Sequence, residues 1–178
     1  WNDGFWWGSL WSTASNKYRI HRFNVASQCW ENVGPDIDDR PLTLSDALWD
    51  GTRLYVASHV FSNNGSSTTA ANAARLYRYS YNSVADAYSL DSGFPVTINS
   101  AKSEAMVLAK DSAGKLWITW TQGGKVKINR SLEDDLTWGT AFNLPVQGGN
   151  TKGDDISSII AFGGNKICLM WSNLTDLK

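Results

Sequence analysis

Three acids hold matching places in this chain, each just ahead of an apolar stretch: Asp46 in Ser45-Asp46-Ala47, Glu104 in Ser103-Glu104-Ala105, and Asp155 in Asp154-Asp155-Ile156. A base lies near each of them, at Arg40, Lys102 and Lys152. Carboxylates gathered at one mouth bind sugar hydroxyls or a hard cation such as calcium. Two of them facing across a cleft can also work as acid and base on a glycosidic bond. The plainer reading is that each acid caps a tight loop, bound to backbone N–H groups or to its neighbouring base. His59 adds a titratable ring beside a long polar segment, and His21 lies in an expected strand, Ile20-His21-Arg22-Phe23. Neither has a metal-ligand partner at useful spacing. The chain contains no nucleophile elbow, phosphate loop, Cys-x-x-Cys or His-Glu-x-x-His. No catalytic residue is therefore assigned, and no cofactor; calcium has no support beyond the acids themselves.

The acids gain meaning from the elements that carry them. Leu54-Tyr55-Val56-Ala57-Ser58 recurs as Leu116-Trp117-Ile118-Thr119-Trp120 and as Ile167-Cys168-Leu169-Met170-Trp171, with a first copy at Phe5-Trp6-Trp7-Gly8-Ser9. The first positions of successive copies differ by 49, 62 and 51 residues. Apolar residues fill both alternating faces, the mark of a strand covered on two sides. A second strand recurs downstream at Ile20-His21-Arg22-Phe23, Arg78-Tyr79-Ser80-Tyr81 and Ile128-Asn129-Arg130-Ser131. An aromatic follows each at Trp30, Tyr88 and Trp138, and then a proline at Pro35, Pro95 and Pro145. Proline is tolerated there only on an outer strand with a free edge.

A unit of about 50 residues built from four short strands is the period of a β-propeller blade. The expected fold class is therefore all-β, a β-propeller of four-stranded antiparallel blades forming a partial or small ring. Numbering strands A to D from the inside outwards, the blade parts fall at about 1–40, 41–101, 102–153 and 154–178. The acids then end three D-to-A loops near the mouth of the channel. The longer interval is explained by an insertion at about 59–74, rich in Ser, Thr, Asn and Ala, expected as a surface loop. With about three and a half blades, the rest of the propeller or another chain is needed to close the ring.

Composition agrees with this plan. The chain has 178 residues with 10 Trp, 15 Gly and 14 Asp against 3 Glu, which favours strands and turns over helices. Its 16 basic and 17 acidic residues leave a net charge of -1, which argues against a nucleic-acid surface. No apolar run approaches the roughly 20 residues of a membrane span. Cys29 and Cys168 do not make a disulfide framework; their apolar neighbours point to two buried thiols. The chain opens at Trp1 rather than Met, which reads as a processed product and leaves secretion open.

The segment Ser131-Leu132-Glu133-Asp134-Asp135-Leu136-Thr137-Trp138 resembles an Asp-box, the Ser-x-Asp-x-Gly-x-Thr-Trp turn of sialidase-type propellers. Ser131, Thr137 and Trp138 match, while Glu133 stands at the motif's Asp and Asp135 at its Gly. The resemblance implies a structural turn, with Trp138 packed beneath it, on the face away from any active site. Sialidases also gather an arginine cluster around a substrate carboxylate. Here Arg40 alone lies in a D-to-A loop, so the resemblance carries fold rather than sialoside chemistry. The functional expectation is a secreted or cell-surface module that binds a glycan or protein partner through its D–A and B–C loops. The alternatives are a sialidase-like hydrolase or lyase using the channel-mouth carboxylates, and a structural module of a larger surface assembly.

Overall fold

The structure, a computed structural model, describes residues 1–63 and 69–174. Among these the chain is all-β: fourteen strands and a single 3-10 turn at Ala70–Asn72. The first sheet holds β1 (Trp7–Ser12), β2 (Lys17–Asn24) and β3 (Cys29–Asp38), in that order. The second runs β4 (Thr43–Trp49), β5 (Arg53–Val60), β6 (Arg75–Asn82) and β7 (Ala87–Leu90), with β8 (Val96–Thr97) also paired to β6. The third runs β9 (Met106–Lys110), β10 (Leu116–Gln122), β11 (Lys125–Arg130) and β12 (Phe142–Asn143). The last is a hairpin of β13 (Ser157–Phe162) and β14 (Lys166–Trp171). Every pairing within these sheets is antiparallel between consecutive strands, apart from the added β8.

The repeated apolar segments are the second strands of the complete sheets, and their two faces feed two different cores. Tyr55 and Ala57 of β5 pack with Leu76, Phe94, Met106, Leu108, Leu116, Ile118 and Trp120 between the second and third sheets. Val56 points the other way and joins Ile20, Ile37, Tyr77, Tyr79 and Tyr88 between the first and second. The other face of β10 reaches the last hairpin, where Thr119 Oγ1 bonds Ser157 Oγ at 3.0 Å and Thr121 Oγ1 donates to the Asp155 carbonyl. A strand with apolar residues on both sides is thus the filling between stacked sheets. The prolines follow the same logic. Pro35 lies where the β2–β3 register shifts, in the outermost strand of its sheet.

Two expectations fail here. Cys29 and Cys168 are free and exposed, not buried. Cys168 pairs with Ile160 on the outer face of the last hairpin, beside Phe162 and Met170, and no described sheet covers that face. Cys29 opens the outermost strand of the first sheet. Apolar neighbours in sequence mean burial only where another sheet packs against them. The 59–74 segment is not wholly a surface loop either. Strand β5 continues through His59 and Val60, and Ala73 and Ala74 are buried in the core. Phe61 bridges Ser103, and Arg40 donates to the Ala71 and Ala73 carbonyls, so both ends of the insertion are tied down. Its central residues 64–68 lie outside the described residues.

The turn after β11 is built by hydrogen bonds, with one residue exchanged. Ser131 is buried, and its Oγ accepts the Leu116 N–H at 3.0 Å; Ser131 also bridges Trp138. Trp138 is half-buried against the core between the second and third sheets. Asp134, and not Glu133, caps the turn by accepting the N–H groups of Leu136 and Thr137 at 3.0 and 2.7 Å. Asp135, at the position where the motif has glycine, reaches across to the second sheet. It accepts the Tyr55 hydroxyl at 2.8 Å and Arg78 Nη1 at 3.0 Å. Ser131→Ala is expected to cost about 1–2 kcal/mol in urea unfolding, because it strips a buried N–H of its acceptor. Glu133→Ala is expected to leave the midpoint unchanged.

Candidate functional site

Strand β4 begins the second sheet, and its alternation aims Leu48 into the core shared with the third sheet. Asp46, two residues earlier, shares that face. It lies within the strand, paired with Ala57, and not at the end of a loop as its neighbours in sequence suggest. Its Oδ2 accepts the Leu108 N–H at 2.8 Å from β9, the edge strand of the next sheet. An edge strand exposes unpaired N–H groups, and Asp46 satisfies one of them. Burial pushes the Asp46 carboxyl above its ordinary range, and the N–H groups of Leu108 and Ala47 offset this only in part.

Glu104 stands two residues ahead of β9, as expected for a loop acid. Its Oε2 is buried and has no hydrogen-bond partner among the described residues. Burial raises its pKa, and the nearby charge of Asp154 raises it further. His59 is the penultimate residue of β5, opposite Leu44, and is 2% exposed. Its Nδ1 lies 3.1 Å from both the carbonyl and the hydroxyl oxygen of Ser103. A carbonyl only accepts, so Nδ1 carries the proton and Nε2 keeps its lone pair. Burial brings the ring down to a pKa of about 4, against hydrogen bonds to the Ser103 and Val60 backbone that favour the charged form. At neutral pH the imidazole is uncharged.

These three side chains line one open cavity of about 350 Å³, together with Tyr18, Leu44 and Ser45. Tyr18 stands edge-on to Trp11, ring centroids 5.4 Å apart, and Trp11 is 45% exposed. Ser9 and Ser45 join the first two sheets at the same level, Oγ to Oγ 2.9 Å. The cavity thus combines two carboxyl groups that hold protons unusually well, a neutral imidazole and an aromatic wall. No arginine lines it among the described residues.

The remaining candidates lie elsewhere. Asp155 is fully buried and accepts the Lys152 N–H at 2.7 Å, the Ser172 hydroxyl at 2.8 Å and the Leu174 N–H at 3.0 Å. Burial opposes its ionisation, but those donors win and hold its carboxyl below the ordinary range. It is a loop cap, and Lys152 serves it through the backbone. Arg40 pairs with buried Asp38 at 2.6 Å, where Ser58 also donates at 2.8 Å. It pins the long insertion rather than facing Asp46. Lys102 makes no ion pair among the described residues. No group of three His, Cys, Asp or Glu side chains that could hold a metal ion occurs among the described residues. No described helix is long and apolar enough to cross a membrane.

Tyr18 and Ser103 were not singled out from the sequence. Both matter only because neighbouring sheets meet, and a single strand's pattern carries no sign of that. No family model and no curated protein matches the chain, so function rests on what this cleft can do.

Proposed function

We propose that this chain is part of an Asp-box type β-propeller, secreted or displayed at a cell surface, that binds a hydroxyl-rich glycan in the cleft of Asp46, His59 and Glu104. The observation that carries the reading is Glu104, whose buried carboxyl oxygen lacks a partner among the described residues and lines the same cleft as a second carboxyl of raised pKa. A carboxyl group left unsatisfied inside a fold costs stability and is kept where a ligand supplies the missing bonds. Sugar hydroxyls both donate and accept. They suit protonated or ionised carboxyls and the Nε2 lone pair of His59, while Tyr18 supplies an aromatic wall. The propeller reading is supported by the repeated strand order of the sheets and by the side-by-side contact of β9 with β4 and β13, the first strands of neighbouring sheets. Trp6 and Trp30 at one end, and Ile160, Phe162 and Met170 at the other, lie on exposed apolar surface. On this reading further blades cover these faces.

A glycan array probed with wild type beside Glu104→Gln tests the site. Binding is expected for wild type, with a loss of about tenfold or more in the variant, the scale of one hydrogen bond to a charged group. Equal binding by both proteins would place any site elsewhere. A hydrolase reading is favoured by the same upward shifts, since a carboxyl that holds its proton more tightly than usual is what a general acid needs. Release of nitrophenol from aryl glycosides by wild type, and not by Asp46→Asn, would replace binding with catalysis.

A further inference from the structure

A second cleft, of about 460 Å³, lies between the second and third sheets and has a different chemistry. Its walls include Asn99 and Ser100 from the connection after β8, Gln122 at the end of β10, Lys127 and Asn129 of β11, and Thr140. Among the described residues, no carboxylate lines it.

The amide groups are held in fixed orientations. Asn99 Oδ1 accepts the N–H groups of Ala74 and Ala101 at 2.7 and 3.2 Å, and its buried Nδ2 has no partner among the described residues. Gln122 Oε1 accepts the indole N–H of Trp120 at 2.8 Å, so its Nε2 is left as a donor. Asn129 Nδ2 donates to the Ile98 carbonyl at 3.1 Å and fixes the 97–100 segment against β11. Lys127 is half-buried and makes no ion pair among the described residues. The cleft therefore holds a surplus of donors and one uncompensated cation. A partner rich in acceptors and carrying negative charge would satisfy them.

The geometry points to a binding site for an acidic sugar, its oxyanion on Lys127 and its ring oxygens within reach of the Gln122 and Asn99 amides. This site is separate from the cleft of Asp46 and Glu104 and does not depend on a ligand binding there. It would add recognition of charge to a module whose first cleft recognises hydroxyls.

Titrating glucuronate, glucose and glucose 6-sulfate into the ¹⁵N-labelled chain, while following the side-chain amide signals of Asn99, Gln122 and Asn129, tests this. Glucuronate or the sulfate ester is expected to shift those signals and glucose is not; whichever acidic sugar binds identifies the oxyanion as carboxylate or sulfate. Lys127→Gln is expected to weaken that binding about tenfold or more, the scale of one charge-assisted hydrogen bond, with an unchanged melting temperature confirming that the variant folds. Glu104→Gln is expected to leave it unchanged, which separates this site from the first. Equal shifts from glucose, or unchanged affinity in Lys127→Gln, would overturn the proposal, as would amide signals unmoved by either acidic sugar.

Discussion

Trp120→Ala is expected to lower the unfolding free energy by about 3–5 kcal/mol, the range for truncating a buried aromatic side chain. Trp120 is 1% exposed and is one of the largest fully buried side chains of the core between the second and third sheets. Its ring spans the gap that the two stacked sheets must fill, so alanine leaves a cavity that the strands cannot close without losing their register. Its indole N–H also donates to Gln122, and that acceptor would be left without its donor at the rim of the cleft lined by Asn99 and Lys127. Trp138 packs against the same cluster but is only half-buried, so its truncation is expected to cost less. Urea unfolding of both variants checks the order. A larger loss at Trp138 would mean that the turn, and not the strand, anchors this core.

Asp155→Ala is expected to cost about 3 kcal/mol at pH 7, because it leaves two backbone N–H groups and a hydroxyl without their acceptor in a buried place. The effect should depend on pH in a set direction. The folded carboxyl is held below its ordinary value of 3.8: burial opposes the charge, but the Lys152, Ser172 and Leu174 donors outweigh it. A depressed carboxylate contributes stability that is fully present above its unfolded pKa and is lost as pH falls through the folded one. The gap between wild type and Asp155→Ala should therefore narrow below about pH 4. A gap of the same size at pH 3 and pH 7 would mean that the side chain acts by packing and not by its charge.

Much of the architecture was legible because it repeats. The segments around Tyr55 and Trp117 announced strands covered on both faces, and the aromatics at Trp30, Tyr88 and Trp138 marked the outer strand or the turn before it. Cys168 misled because its strand has the same composition as β5 and β10 but lies at the end of the stack. Sequence cannot say which copy is outermost. Among the acids, spacing placed Glu104 and Asp155 at equivalent loop ends, yet one is unsatisfied and the other capped three times over. The difference lies in residues far along the chain, Ser172 and Leu174, which reach Asp155 and have no counterpart at Glu104. His59 read as a loop residue because the segment after it is polar. It is buried because β5 runs on to Val60 and Ser103 closes over the ring.

The raised carboxyls also carry a signature in stability. A group whose folded pKa is raised favours the fold while protonated and weakens it as pH climbs through its ordinary value toward the folded one. Glu104→Gln, which keeps the shape and removes the charge, should thus raise the melting temperature at pH 7 while it reduces glycan binding. Stability gained as function is lost marks a binding group rather than a structural one.

The most direct measurement is a ¹³C NMR titration of the side-chain carboxyl carbons of Asp46 and Glu104, in the free protein and after adding the glycan identified on the array. Both midpoints are expected above the usual values of 3.8 and 4.5 in the free protein, and both are expected to move on binding, while Asp155 stays low in both states. Ordinary midpoints at Asp46 and Glu104 that the glycan leaves unmoved would contradict the assignment of this cleft as the binding site.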